Sequence, residues 1–386
     1  MFVRSGLCFV FVIIVKVYSK CETTFTNQCE KVKDIERYGK KSWDSLIISP
    51  EKCKRTTSHT LDEVITENAF KKTPNIEELM IMEKITGIEA GAFNGIKRLE
   101  HLKFYKNQLT VIPRLAFANL HIHKLDLSHN AIENIVHDLF RQSTVTILNL
   151  SHNKLNNIQI NMVNIPSLKR LIISHNNVQS IVDGAFHENL EQLNLAFNDI
   201  SQIEEGVIKP LTNLKELNLS HNRLNRIQVS FGMPSLETLD LSHNVIDQIA
   251  EGSFGQFFEL KRLILNHNYL TSLPHKIFPN PNPIVTIFLH SNALMYVPEE
   301  TTEALQDIRE VTFSGNPWSC TCLKSFNEFL QERNISEPDC DQKYFGKGNS
   351  AVCIITTNTC TFDERLTQED FDNFRNSRQQ DPCAEI

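Results

Sequence analysis

LDLSHN stands at residues 125–130 and again at 239–244, with near-copies LNLSHN at 148–153 and 217–222, LIISHN at 171–176 and LILNHN at 263–268. No other feature constrains the fold so strongly. A phrase returning at a fixed period builds one kind of unit, and each unit buries its apolar side against the one before. Aligned on their asparagines, the copies end at Asn107, Asn130, Asn153, Asn176, Asn198, Asn222, Asn244, Asn268, Asn292 and Asn316, spaced 22 to 24 residues apart. A chain of 386 residues would otherwise suggest two or three ordinary domains. The register makes it a repeat array instead.

Each asparagine closes the pattern L-x-x-L-x-L-x-x-N, with Ile, Val or Phe replacing Leu in places. This is the leucine-rich repeat signature. Leu125 and Leu127 alternate with polar residues, the period of a half-buried strand. The expected fold class is therefore an α/β repeat solenoid, a leucine-rich repeat horseshoe with a parallel concave β-sheet and disulfide-bonded N- and C-terminal caps. At ~4.8 Å per strand, ten strands span an arc of roughly 50 Å. The asparagine amides should turn inward and satisfy backbone groups at the turn after each strand. A second column of Phe117, Phe140, Phe186, Phe254 and Phe278, with Val163 and Ile208 in register, should fill the opposite side. A degenerate copy precedes the array at 76–93. These columns are structural and say nothing about a ligand.

The ends differ from the array. Arg4, the apolar run 7–15, and Val17 with Ser19 read as a secretory signal over 1–19. Nine apolar residues are too few to span a bilayer, which takes about 20, and no membrane span or GPI signal is expected further on. Cys8 leaves with the signal, and none of the nine remaining cysteines lies between 54 and 319. In an exported chain such clusters read as disulfide-bonded caps: Cys29 and Cys53 in an N-terminal cap over 20–60, and Cys320, Cys322, Cys340, Cys353 and Cys360 in a C-terminal cap over 318–360. About ten to eleven repeats fill 61–317, and an acidic polar tail follows at 361–386. Nine is odd, so one sulfur stays free or bonds a partner; Cys383 and Cys21 are the candidates. The C-terminal cap should carry an amphipathic helix with Leu323, Phe326, Phe329 and Leu330 on one side.

These residues resemble the extracellular leucine-rich repeat superfamily of Toll-type ectodomains and slit-like proteins. NPWSCTC at 316–322 is similar to the start of its C-terminal flanking cap, and YFGKGNSAVCIITTNTC at 344–360 looks insect-like. The order of signal, cap, about ten repeats and cap resembles the mosquito leucine-rich immune proteins over roughly residues 20–360. That resemblance implies circulation in haemolymph, disulfide-linked pairing and stabilisation of complement-like thioester proteins. One departure stands out. The longer relatives end in a coiled coil, whereas Phe362, Leu366, Phe371 and Phe374 keep no a/d spacing.

The concave face is the usual ligand surface of a solenoid. Its exposed positions are expected six, four and two residues before each asparagine. Most are small and uncharged. Two spots are richer: His101, Lys103, Tyr105 and Lys106 near the N-terminus, and Arg262, Ile264, Phe288, His290 and Tyr296 near the C-terminus. Aromatic and Arg side chains are favoured anchors in protein interfaces. The sequons at Asn149, Asn218 and Asn334 are candidate glycosylation sites, two of them in the concave column. His129, His152, His175, His221, His243 and His267 each precede a ladder asparagine and are either turn filler or a row of groups titrating near pH 6.5. Phe197 should break that row into two runs of three.

Net charge is −7 and charged residues make up 22% of the chain, so no basic excess holds a nucleic acid. Adjacent Ser-His pairs diverge on a strand and recur, unlike a catalytic site, and no phosphate loop or metal motif appears. The expected protein is secreted, non-enzymatic and cofactor-free. It should bind another secreted or cell-surface protein in humoral innate immunity, with a disulfide-linked dimer in view. An adhesion or developmental signalling ligand, and a microbial glycolipid binder, are the alternatives.

Overall fold

The computed structural model describes residues 64–335, apart from 72–73, 82–84, 137, 161 and 228–231, together with the backbone strands Val12–Val15 and Ser45–Ser49. The chain forms two compact units, Met1–Leu193 and Asn194–Ile386. Each is a parallel β-solenoid of the leucine-rich repeat fold.

In the first unit the sheet runs β1 (Val12–Val15), β2 (Ser45–Ser49), β3 (Glu78–Ile81), β4 (Arg98–Lys103), β5 (His121–Asp126), β6 (Thr144–Asn149) and β7 (Arg170–Ile172). Only β1 is antiparallel to its neighbour; β2 already pairs parallel with β3, so the parallel part of the sheet starts one strand before the degenerate repeat. The ladder places Leu79, Leu102, Leu125, Leu148 and Leu171 in one column. β8 (Gln192–Asn194) lies where the units divide. The second unit continues as β9 (Glu216–Asn218), β10 (Thr238–Asp240), β11 (Arg262–Ile264), β12 (Thr286–Phe288) and β13 (Glu310–Thr312), all parallel.

The spacing dictates what is buried. In KLDLSHN, Leu125 and Leu127 are both fully buried, as is Ile132 beyond the turn. Burying one such side chain contributes about 1.5–3 kcal/mol, and repeating it in every turn supplies the core. Phenylalanines stack behind the sheet: Phe70 on Phe93 at 5.5 Å, Phe93 on Phe117 at 5.6 Å and Phe117 on Phe140 at 5.9 Å. Phe70 and Phe93 extend the column towards the N-terminus beyond the residues that the phenylalanine spacing predicted.

The asparagine ladder joins turn to turn. Asn153 Nδ2 donates to the carbonyls of Leu127 (3.0 Å) and Leu150 (2.9 Å), and its Oδ1 accepts the Ile132 N–H (3.0 Å). Asn244 repeats this in the second unit, with Leu219 and Leu241 as acceptors and the Leu224 N–H as donor. A buried amide that leaves its own turn to satisfy the previous one is paired on both its polar atoms. The pattern recurs at Asn107, Asn176, Asn222, Asn268, Asn292 and Asn316.

The second unit is closed by the helix Cys320–Glu332. Leu323, Phe326 and Leu330 are buried as expected, Cys322 joins them, and Phe329 is only half-buried. Trp318 stacks on Phe326 at 5.6 Å and donates Nε1–H to the Phe313 carbonyl (3.1 Å). Cys320 and Cys322 are disulfide-bonded. The expected signal cleavage site, Cys21, Cys29, Cys53, Cys340, Cys353, Cys360, Cys383 and the acidic tail lie outside the described residues.

Candidate functional site

The strand face of each unit presents the positions six, four and two residues before the ladder asparagine. Exposure there departs from expectation. The column two before the asparagine is buried from Ser128 through Ser314, and only Tyr105 stays half-exposed. The backbone turns sharply just beyond this point. The next residue is left-handed in every repeat, with φ between 51° and 66° from Lys106 through the histidines and Phe197 to Ser291 and Gly315. That turn folds the column against its neighbours, which is why serine dominates it.

The column four before the asparagine helps make the turn. Asp126 Oδ1 accepts the Ser128 N–H (3.0 Å) and Oγ–H (2.6 Å), and Asp240 does the same for Ser242 (3.0 and 2.7 Å). Asn149 Oδ1 accepts the Ser151 N–H (3.0 Å), and Asn218 Oδ1 the Ser220 N–H (2.9 Å). The two sequons are thus amide versions of an Asp-x-Ser turn. These bonds use the amide oxygen and not the nitrogen that carries a glycan. Asn334 is exposed at the end of the Cys320–Glu332 helix.

The two richer spots have different fates. In the second unit, Phe288 is 3% exposed and His290 0%. Arg262 lays its guanidinium 4.4 Å over the Phe288 ring, and His290 Nδ1 lies 2.6 Å from Thr312 Oγ1. Tyr296 packs against Ala293 and Met295. The expectation that Phe288 and His290 are exposed is corrected: stacking and hydrogen bonding withdraw them. In the first unit the other group stays open, with His101 and Lys106 exposed and Lys103 and Tyr105 half-exposed. Register brings Lys124 beside His101 and Asp126 beside Lys103. Lys103 Nζ lies 4.6 Å and Lys106 Nζ 5.1 Å from the centre of the Tyr105 ring.

The histidines form the expected row, as stacked columns. In the first unit, His129 stacks on His152 at 4.1 Å and His152 on His175 at 4.2 Å, with rings 12° and 9° from parallel; Tyr105 meets His129 edge-on at 4.9 Å. In the second, Phe197, His221, His243 and His267 stack at 3.9–4.0 Å. Phe197 therefore continues the column in its unit as an aromatic equivalent, and does not break it. Parallel rings point their lone pairs parallel, so neighbouring imidazoles do not converge on one metal ion. Among the described residues no group of three or more His, Cys, Asp or Glu side chains is placed to hold one. Burial holds the His129 imidazole below its usual pKa, assisted by His152 and Lys106 and opposed by Asp126. Burial lowers His221 too, against the pull of Asp240.

This arrangement fits the comparisons with known proteins. Residues 63–191 match the family described as BspA type Leucine rich repeat region (6 copies), residues 166–224 match Leucine rich repeat, and residues 212–252 match Leucine Rich repeats (2 copies). The chain is a leucine-rich repeat protein. No curated protein matches it. Three solved structures share the fold at low identity. An internalin (inlF) of Listeria monocytogenes is 16% identical, with a TM-score of 0.56 over 81% of this chain and 83% of that one. Drosophila Toll, in complex with Spatzle, is 21% identical with a TM-score of 0.56 over 65% of this chain and 38% of that one. TLR13, in complex with ssRNA13, is 18% identical with a TM-score of 0.53 over 71% of this chain and 52% of that one. The matched families are repeat families, and no enzyme family is among them.

Proposed function

We propose that this chain is a secreted, non-enzymatic scaffold that binds another protein through the strand face of its first unit, as a recognition or complement-like partner protein in humoral innate immunity. The observation that carries the reading is the division of labour in the repeat. The Leu, Asn and Phe columns are consumed by the core, whereas His101, Lys103, Tyr105 and Lys124 are spent on no structural bond of that kind. The immune setting rests on the resemblance of the whole arrangement to the mosquito leucine-rich immune proteins, and the likeness to a Toll ectodomain in complex with Spatzle is in keeping with it. Cys383 or Cys21 would provide the covalent link of a dimer, and glycans on Asn149 and Asn218 would direct a protein partner away from the middle of the face.

A photo-reactive residue at position 147, half-exposed beside Lys124 on the strand face, tests the reading. In the native body fluid it should trap a defined partner, whereas the same residue at position 160, which lies outside the strand face, should not. Equal trapping at both positions, or none, would remove the proposal. The second reading, an adhesion or developmental signalling ligand, draws on that Toll complex being described as a hub of both development and innate immunity. Expression that rises on microbial challenge favours the first reading, and stable tissue-patterned expression the second.

A further inference from the structure

Several cations elsewhere on the described surface are matched with acids. Arg114 meets Asp138, Lys169 meets Glu191, Arg223 meets Asp199, Lys261 meets Glu237 and Lys276 meets Glu251, at 2.6 to 3.3 Å. Among the described residues Lys97, Arg141 and Lys154 have no such match, and nor do Lys103, Lys106 and Lys124, but the last three lie together, on two adjacent strands and the turn beyond. The nearest carboxylate on the face, Asp126, already accepts two hydrogen bonds from Ser128. Glu78 faces His101 across the ladder at the sheet's N-terminal side, and Glu100 is taken by Arg98. A hollow in the face is lined by Glu78, Met80, His101, Lys103, Lys124 and Asp126, and Lys106 stands just beyond it.

Two further facts bear on what would fill it. Two ammonium groups share the Tyr105 ring, which attracts both through its electron-rich face. Met80 and Tyr105 are interleaved with the lysines, so the surface alternates charge with apolar area. Long polyanions are held by extended basic surfaces, and the chain as a whole carries −7. A short acidic peptide segment fits a patch of this size better than a long polyanion does.

We infer that Lys103, Lys106 and Lys124, with Tyr105 and Met80, form a docking site for an acidic peptide segment of the partner protein. The inference rests on the strand-face reading above and names the partner's chemistry. The lysine charges supply attraction, and the Tyr105 ring and Met80 supply contact area. Exposed charge pairs are screened within about 8–10 Å at ordinary ionic strength, so binding should weaken as salt rises.

The test uses the full secreted chain and a fluorescent decaglutamate peptide followed by anisotropy. The wild type should bind it, the Lys103→Glu/Lys106→Glu variant at least tenfold more weakly, the milder Lys103→Gln/Lys106→Gln variant in between, and Lys209→Glu like the wild type. Equal affinity in the wild type and the charge-reversed variant would overturn the site. So would a wild type that binds a heparin dodecasaccharide but not decaglutamate, which would assign the lysines to a polysaccharide. Trapping of the partner from position 147 separates this failure from that of the broader reading. If trapping persists in the charge-reversed variant while decaglutamate binding is absent throughout, the strand face stands and the acidic-peptide site falls.

Discussion

Two groups of residues occupy corresponding places in the repeat and meet opposite fates. Lys103 and Tyr105 stand four and two residues before Asn107, and Phe288 and His290 stand four and two before Asn292. The first pair is half-exposed and its cations lack carboxylate partners among the described residues. The second is buried, under the Arg262 guanidinium and beside Thr312. Repeat position therefore fixes where a backbone atom lies, but neighbours decide whether the side chain is surface or core. A candidate binding residue in a solenoid has to be judged on the two strands that flank it.

The comparison can be broken most forcefully by truncation. Phe288→Ala should destabilise the second unit by about 3–5 kcal/mol, the usual loss for a buried Phe. Tyr105→Ala should cost the first unit less than about 1 kcal/mol, because its ring is half in water already. Urea unfolding of each variant checks both values, and similar losses at the two sites would contradict the contrast. The asparagine ladder comes next. Asn153→Ala orphans the Ile132 N–H, while the Leu127 and Leu150 carbonyls keep the amides of Asn130 and Asn176, so the loss should be about 1–3 kcal/mol. Asn149→Ala, which removes one turn-forming bond of a half-exposed residue, should cost about 1 kcal/mol or less. A ladder variant no worse than the turn variant would show that the interior amides do not join the turns.

The histidine columns yield a smaller and pH-dependent effect. Burial lowers the pKa of His129 and His221 in the folded chain relative to about 6.5 in the unfolded one. As pH falls through that value the unfolded chain takes up protons first, so stability should be complete above it and decline on acidification. Neighbouring rings 4.0–4.2 Å apart add repulsion if both become charged, about 1 kcal/mol per pair even in water. Thermal unfolding at about pH 7.5 and about pH 5 should therefore show a lower midpoint in acid. His152→Asn, which keeps a residue tolerant of the left-handed turn, should reduce that drop, and an unchanged drop would exclude the column as its source. The smallest effect is expected for Lys103→Glu/Lys106→Glu on stability, within about 0.5 kcal/mol, since these side chains support no core.

Much of the fold was legible because periodicity is a physical requirement: a repeat with Leu at fixed offsets has only one side to bury. The asparagine ladder and the Phe column follow from the same arithmetic. Exposure on the strand face was not legible. Counting offsets treats a strand as flat, whereas the left-handed residue before each asparagine turns the preceding position inward. Two signals were present in the sequence. Gly315 stands in the histidine column, where its freedom at positive φ marks the turn. Six serines and an alanine in the column two before the asparagine also point to restricted volume. The stacking of Phe197 with His221 was missed because a change of residue type was read as a break, when planarity is what the column needs. Burial of Phe288 and His290 depends on Arg262 and Thr312 from adjacent turns, contacts that offsets within one repeat do not reveal.

We propose that the partner binds on the strand face of the first unit. Lysine acetylation footprinting by mass spectrometry tests it most directly, comparing the purified chain with the same chain in its native fluid. Lys103, Lys106 and Lys124 should label readily in the purified protein and be protected in the fluid, while Lys209 and Lys324 should label alike in both. Equal labelling of the three strand-face lysines in the two samples, with protection appearing elsewhere on the chain, would contradict it.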